Sequence, residues 1–212
     1  ARCGGPANLS DSELTFRIAG VREAFEECGV LLARKRGYKA LIGATDLKPI
    51  EDRWRAKLTR DEASILDLVE AEDLELATEL MTPFAHWITP TFVPKRFDTW
   101  FFLADAPEDQ VALHDGSEST DSVWIGAQEA IDEAKAGKRT LVHATQKNLE
   151  LLAEGGTVAG ALAQAASRKV VTVQPWVEAR DGKRFLHIPE GAGYRNLIRE
   201  MPAAGGVPQT GR

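Results

Sequence analysis

The chain has 212 residues, 43% of them hydrophobic and 27% charged, with a net charge of -6 and a sequence pI near 5.3. This is ordinary globular composition, sufficient for one large domain or for a smaller one carrying an insertion. The acidic balance argues against sequence-independent nucleic-acid binding, which needs Lys and Arg to neutralise phosphates. No apolar run approaches the roughly 20 residues of a membrane span. Two cysteines, Cys3 and Cys28, make neither a disulfide framework nor a metal knuckle.

The first ten residues read as loop, with Gly4, Gly5, Pro6 and Asn8 as breakers. "SDSELTFRIAGVREAFEE" predicts a helix capped by Ser10 or Ser12, with Phe16, Ile18, Val21 and Phe25 as its apolar stripe and Gly29 as a left-handed C-terminal cap. "VLLA" predicts a short buried segment. Residues 46–82 predict two or three short helices with a break near Thr59, and Trp54, Leu58, Ile65, Leu66, Leu68 and Val69 turned inward. "FAHWITPTFVPKRFDTWFFLAD" predicts two strands around a loop at Pro94 and Lys95. A polar loop then leads to a short strand at Val123–Ile125 and a helix ending at Gly137. "ATQKNLELLAEGG" and "VAGALAQAASR" predict further helices, and "KVVTVQPWVEA" and "RFLHIP" late strands around the turn "RDGK". The tail from residue 203 onward is expected to be flexible. The mixed order places the chain in the α/β or α+β class.

One stretch, "REAFEECGV" at residues 22–30, raises an electrostatic problem. On a helix Glu27 falls about 40° to one side of Glu23 and Glu26 about 60° to the other, so three carboxylates share a face. Like charges at this spacing are mildly destabilising. They also stand at the C-terminal end, where the helix macrodipole disfavours negative charge. Arg22 can pair with Glu26 but cannot neutralise all three. Two readings are open: a solvated helix end, or a site for a hard cation such as Mg²⁺, which takes carboxylate and phosphate oxygens.

These nine residues match the second half of the Nudix box: Arg-Glu, an aliphatic residue, any residue, Glu-Glu, any residue, Gly, an aliphatic residue. The first half departs from it. Leu14 stands where the pattern has Glu, with Glu13 adjacent, and Asn8 where it has Gly. "FRIAGVREAFEECGVLLAR", "WITPTFVPKRFDTWFFLA" and the Val123-Trp124 segment before a helix resemble, in order, the coenzyme A diphosphatase-like branch of the Nudix hydrolases. The resemblance spans residues 10–155. It implies an α/β/α sandwich around a mixed sheet, read here as a single domain over 1–212 with a helical insertion at 46–82. It also implies hydrolysis of a nucleoside diphosphate linked to another moiety, with coenzyme A or acyl-CoA as candidate substrates. A non-hydrolysing nucleotide-binding domain, or a hydrolase of another dinucleotide such as NADH or of a nucleotide sugar, are the alternatives. By the same resemblance Glu26 and Glu27 are the principal Mg²⁺ or Mn²⁺ ligands. Glu23 is a further ligand or helps to activate water, and Arg22 orients the glutamates. Glu118 supplies an additional acid from the loop before Trp124.

Lys95 and Arg96, between the two strand candidates, are candidate phosphate contacts, against the alternative of a solvated turn. His86 with Trp87 could stack on a base, though packed strand aromatics are the plainer reading. His114 beside Asp115 is a loop dipeptide, and His143 and His187 show no partner in the sequence. Cys28 beside three acids is not read as a nucleophile, since nearby negative charge raises a thiol pKa. Gly155-Gly156 is read as an interhelical turn rather than an anion site. The expected partner is a nucleotide-like small molecule, with a homodimer left open and neither nucleic acid nor membrane expected. Low cysteine content and the absence of a C-terminal peroxisomal signal suggest the cytoplasm. With no strand before residue 10, an N-terminal part is expected to lie outside this sequence.

Overall fold

The computed structural model describes residues 3–4, 9–114, 116 and 121–202. The described residues fall into two compact units, one drawn from Ala1–Pro83 and Phe102–Ile125, the other from Phe84–Phe101 and Gly126–Arg212.

The first unit opens on helix α1, Asp11–Cys28. Ser10 caps it in a reciprocal capping box: the Glu13 amide donates to Ser10 Oγ, and the Ser10 amide donates to the Glu13 carboxylate. Gly29 ends it at φ 71, a left-handed conformation that glycine adopts without a Cβ penalty. Strand β1 (Ala33–Lys35) follows, then α2 (Ala44–Thr59) and α3 (Ile65–Ala71). Strand β2 (Leu74–Leu76) pairs antiparallel with β1, and a 3-10 turn covers Thr78–Leu80. The segment expected to be wholly helical over 46–82 therefore contains a strand. "LEL" alternates buried, half-buried, buried, the pattern of an extended chain against a core. Within α3, Leu68 and Val69 are buried and Ile65 packs against the core, whereas Leu66 is 54% exposed. Leu66 lies about 100° around the helix from Ile65 and leaves the apolar face.

The core of this unit is aliphatic and contains Val21, Phe25, Leu31, Leu32, Ile50, Leu58, Leu74 and Leu76 among others. Arg17, on the same helix as Val21 and Phe25, is buried as well. Its guanidinium donates to the carbonyls of Thr78 and Met81. Burial draws its pKa down from the usual arginine range. The expected strand at Val123–Ile125 does not form, and Trp124 is 75% exposed. Without a partner strand, β-branched and aromatic residues do not by themselves hold an extended pairing.

The chain crosses between units within β3 (Thr82–Ile88) and β4 (Asp98–Leu103). They belong to a three-stranded sheet of order β4-β3-β5, in which β5 (Thr172–Val173) runs parallel to β3. The second unit adds α4 (Ala127–Lys135), α5 (His143–Ala153) and α6 (Val158–Ser167). A second three-stranded sheet, β6 (Trp176–Arg180), β7 (Lys183–His187) and β8 (Ile198–Glu200), is antiparallel. The turn between β6 and β7 places Asp181 at φ 53 and Gly182 at φ 74, the two positive-φ positions a tight hairpin requires. Parallel pairing in one sheet and antiparallel pairing in the others give the expected α+β class. No helix among the described residues is long and apolar enough to cross a membrane.

Candidate functional site

The last turn of α1 carries the carboxylates. Arg22 is their first counter-charge: Nη2 lies 2.7 Å from Glu23 Oε1 and Nε lies 3.4 Å from Glu26 Oε1. The hydrogen bond to Glu23 is the chief reason its pKa stands above the usual arginine value. The three acids differ in exposure. The Glu23 side chain is 49% exposed and that of Glu26 only 13%, while Glu27 is half-buried.

Below this turn the backbone is held from outside the helix. No basic residue occupies the last turn of α1, so nothing within it answers the negative end of the macrodipole. Arg55, on α2, does so: Nε donates to the Glu26 carbonyl at 2.9 Å, and Nη2 to the Glu27 carbonyl at 2.9 Å and the Leu113 carbonyl at 2.7 Å. The Leu113 amide in turn donates to the Cys28 carbonyl at 2.9 Å. Gln110, 5% exposed, accepts from the Leu31 amide and donates to the carbonyls of Leu31 and Ile42. Asp109 caps α2 through the Ala44 amide at 3.0 Å, because the N-cap Gly43 has no side chain to do so. Sequence reading missed Arg55, Asp109 and Gln110. Their spacing gives no signal, since each serves a backbone group remote in the chain.

Among the described residues no group of three His, Cys, Asp or Glu side chains gathers into a ready-made metal cage. Mg²⁺ does not require one, since it is usually held by one or two carboxylates, waters and substrate phosphates. Mn²⁺ accepts the same hard oxygen donors. Glu26 and Glu27, consecutive on a braced helix end, are a donor set of that kind, so the residues present fit a divalent cation. Glu118 lies outside the described residues, as do Asp115 and Asn8.

Lys95 and Arg96 belong to the second unit, where both are exposed. Arg96 Nε donates to the Thr89 carbonyl at 3.0 Å, and Lys95 Nζ sits 5.0 Å from the centre of the Phe97 ring. Both basic groups therefore have local partners within the loop between β3 and β4. His86 is packed within the strands: it stacks on Trp100 at 4.3 Å, Nδ1 meets Thr172 Oγ1 at 2.8 Å, and Nε2 meets the Asp98 carboxylate. Trp87 is 6% exposed, and its ring N–H is shared between Asn148 and Tyr194. His187 and His143, without visible partners in the sequence, both have them in the fold. His187 stacks on Trp176 at 5.3 Å and lies 3.0 Å from Glu178, while His143 packs edge-on against Trp87 at 6.2 Å. His114 bonds Ser122. Gly155 packs against the Ala161 backbone, and Thr157 caps α6 through the Gly160 amide, as an interhelical turn requires.

A sequence profile of the NUDT19 Nudix domain matches residues 6–146. The chain is similar to putative nudix hydrolase 7 of Caenorhabditis elegans, 31% identical over 140 residues, which is 65% of this chain and 44% of that protein. It is 33% identical over 127 residues to the human acyl-coenzyme A diphosphatase NUDT19, covering 57% of this chain and 34% of that one. The Xenopus laevis protein of the same name is 26% identical over 141 residues, 62% of this chain and 37% of that one. The chain thus spans less than half the length of the curated relatives it matches. Among solved structures, a NUDIX hydrolase from Alicyclobacillus acidocaldarius superposes with a TM-score of 0.62 at 21% identity, covering 76% of this chain and 72% of that one. At that identity the likeness bears on the fold.

Proposed function

This chain belongs to the NUDT19 Nudix domain family, and from that premise we propose that it hydrolyses the diphosphate of a nucleoside diphosphate linked to another moiety, with coenzyme A or acyl-CoA as the substrate class. The observation that carries the reading is the C-terminal turn of α1, where Glu26 and Glu27 project from a backbone held by a cation. The names of the human and Xenopus relatives support the choice of acyl-CoA.

In this proposal Glu26 and Glu27 hold Mg²⁺ or Mn²⁺. When bound, the cation screens the phosphate charge and lowers the pKa of a bound water. The protein's own groups then act as follows. Glu23, the most open of the three acids, takes the proton from the attacking water as the water oxygen bonds to phosphorus and the bridging P–O bond breaks. Arg22 holds Glu23 and Glu26 in place through its two contacts. Both products leave carrying a phosphate. Lys95, Arg96 and Glu118 remain part of the proposal as substrate contacts and as a further acid, and a cytoplasmic place of action belongs to it too.

The test is release of phosphorylated products from coenzyme A and acyl-CoA with Mg²⁺ or Mn²⁺, for wild type, Glu26→Gln and Glu27→Gln. Each substitution is expected to lower kcat about 100-fold, a barrier increase of about 2.7 kcal/mol, with the thermal melt unchanged. Turnover unaffected by both would remove the site. The second reading is a nucleotide-binding domain without hydrolysis, favoured by Leu14 in place of the box's first acid. Tight substrate binding with no turnover under either metal would establish it.

A further inference from the structure

We propose that Arg55 is a positioning residue for the carboxylates of α1, acting from a helix that the Nudix box does not contain. The inference rests on the functional reading above, in which Glu26 and Glu27 hold a divalent cation.

Three observations carry it. The carbonyls that Arg55 grips are those of Glu26 and Glu27 themselves, so each bond fixes the backbone from which a ligand side chain springs. The Arg55 side chain is only 12% exposed, and its guanidinium is itself oriented by Glu51, whose Oε1 accepts from Nη1 at 2.8 Å. Gly29 leaves room for the pair: a Cβ there would stand 3.1 Å from both Arg55 Nη1 and Glu51 Oε1. The glycine of the box thus serves two needs, a positive φ and the close approach of an arginine. The same guanidinium holds the Leu113 carbonyl, which binds the 110–113 segment to the helix end.

The chemistry explains why an arginine is used. A planar fork with several N–H donors can satisfy neighbouring carbonyls at once, whereas a lysine ammonium supplies a point charge on a flexible stem. Positioning groups of this kind act through the geometry of metal ligands, and their loss typically weakens metal affinity by about 10–100-fold. The substrate's own contacts are left in place, so kcat is expected to fall more than KM rises.

The experiment uses the whole chain with Arg55→Met and Arg55→Lys. Mn²⁺ binding is measured without substrate, by electron paramagnetic resonance of the free ion. Steady-state kinetics on coenzyme A and amide hydrogen exchange over residues 24–30 and 111–114 are measured on the same samples. Arg55→Met is expected to weaken Mn²⁺ binding about tenfold or more and to lower kcat with KM little changed. It should also speed exchange at Gly29 and Leu113. Arg55→Lys should recover only a minor part of the metal affinity, and it carries the test if the methionine variant does not fold. Wild-type Mn²⁺ affinity and kcat in a folded Arg55→Met chain overturn the proposal, as does full rescue by lysine. A wild-type chain that binds no Mn²⁺ overturns the functional reading instead. Hydrogen exchange then decides on Arg55 alone, faster exchange at Gly29 and Leu113 upholding the role and unchanged exchange ending it.

Discussion

The two units bury polar groups in different ways. In the first, Arg17, Arg55 and Gln110 bond main-chain groups: the carbonyls of Thr78 and Met81, those of Glu26, Glu27 and Leu113, and both backbone groups of Leu31. In the second, the buried rings of β3 bond other side chains, His86 with Asp98 and Thr172 and Trp87 with Asn148 and Tyr194, while Lys147 and Arg168 also donate to main-chain carbonyls. The contrast follows from content. The first unit brings helix ends and irregular chain against an aliphatic core, and their orphan backbone groups need partners. The second buries a histidine and a tryptophan in β3, whose ring nitrogens need partners when they leave water.

Truncation of the first unit's core is expected to have the largest effect. Phe25 is fully buried in the aliphatic core, so Phe25→Ala is expected to cost about 3–5 kcal/mol in urea unfolding. Hydrogen exchange should show the loss concentrated in the first unit. Exchange weakened equally in both units would mean that they unfold as one, and the distinction would lose its energetic content.

Gln110→Ala comes next. It strands the Leu31 amide and the Ile42 carbonyl, while the Leu31 carbonyl still accepts from the Ala33 amide, and leaving such groups buried without partners costs about 1–3 kcal/mol. Trp87→Phe keeps most of the ring but removes the N–H shared by Asn148 and Tyr194. Asn148 and Tyr194 still bond each other at 2.6 Å, so the expected cost is smaller, about 1 kcal/mol. If Trp87→Phe proves worse than Gln110→Ala, side-chain pairing matters more than service to the backbone.

His143 gives a pH-dependent test in the second unit. Burial, reinforced by Arg199 and Lys147 and opposed by Glu150, lowers its pKa from 6.5 to about 4. Between those values the unfolded chain binds the proton and the folded chain does not. Its contribution to stability is therefore complete above pH 6.5 and lost as pH falls toward about 4. His143→Gln should flatten that limb of the stability profile, read from urea midpoints across the window; an unchanged slope would place the titrating group elsewhere. The smallest effect is expected at the surface. Lys183 pairs with Glu200 while 59% exposed, and Lys183→Ala should change stability by less than about 0.5 kcal/mol.

Much of the first unit's chemistry was legible in one dimension because it is local. The Ser10 cap, the Gly29 stop and the common face of Glu23, Glu26 and Glu27 follow from helix geometry, which relates residues three and four apart. The hairpin turn at Asp181-Gly182 was readable for the same reason. Sequence reading failed where an element depends on a distant partner. "LEL" at 74–76 became a strand because β1 pairs with it, and Val123–Ile125 did not become one. His143 and His187 showed no partner until the fold supplied Trp87, Trp176 and Glu178.

The carboxylate turn and the family that it signals were legible from the chain alone, since both are written in nine consecutive residues. How that turn is held emerges only in three dimensions. A helix end presents backbone groups that its own residues cannot satisfy, and here the partners come from Arg55 on another helix and from the segment around Leu113. Hydrogen bonds across 28, 29 and 58 positions leave no periodic trace in a sequence.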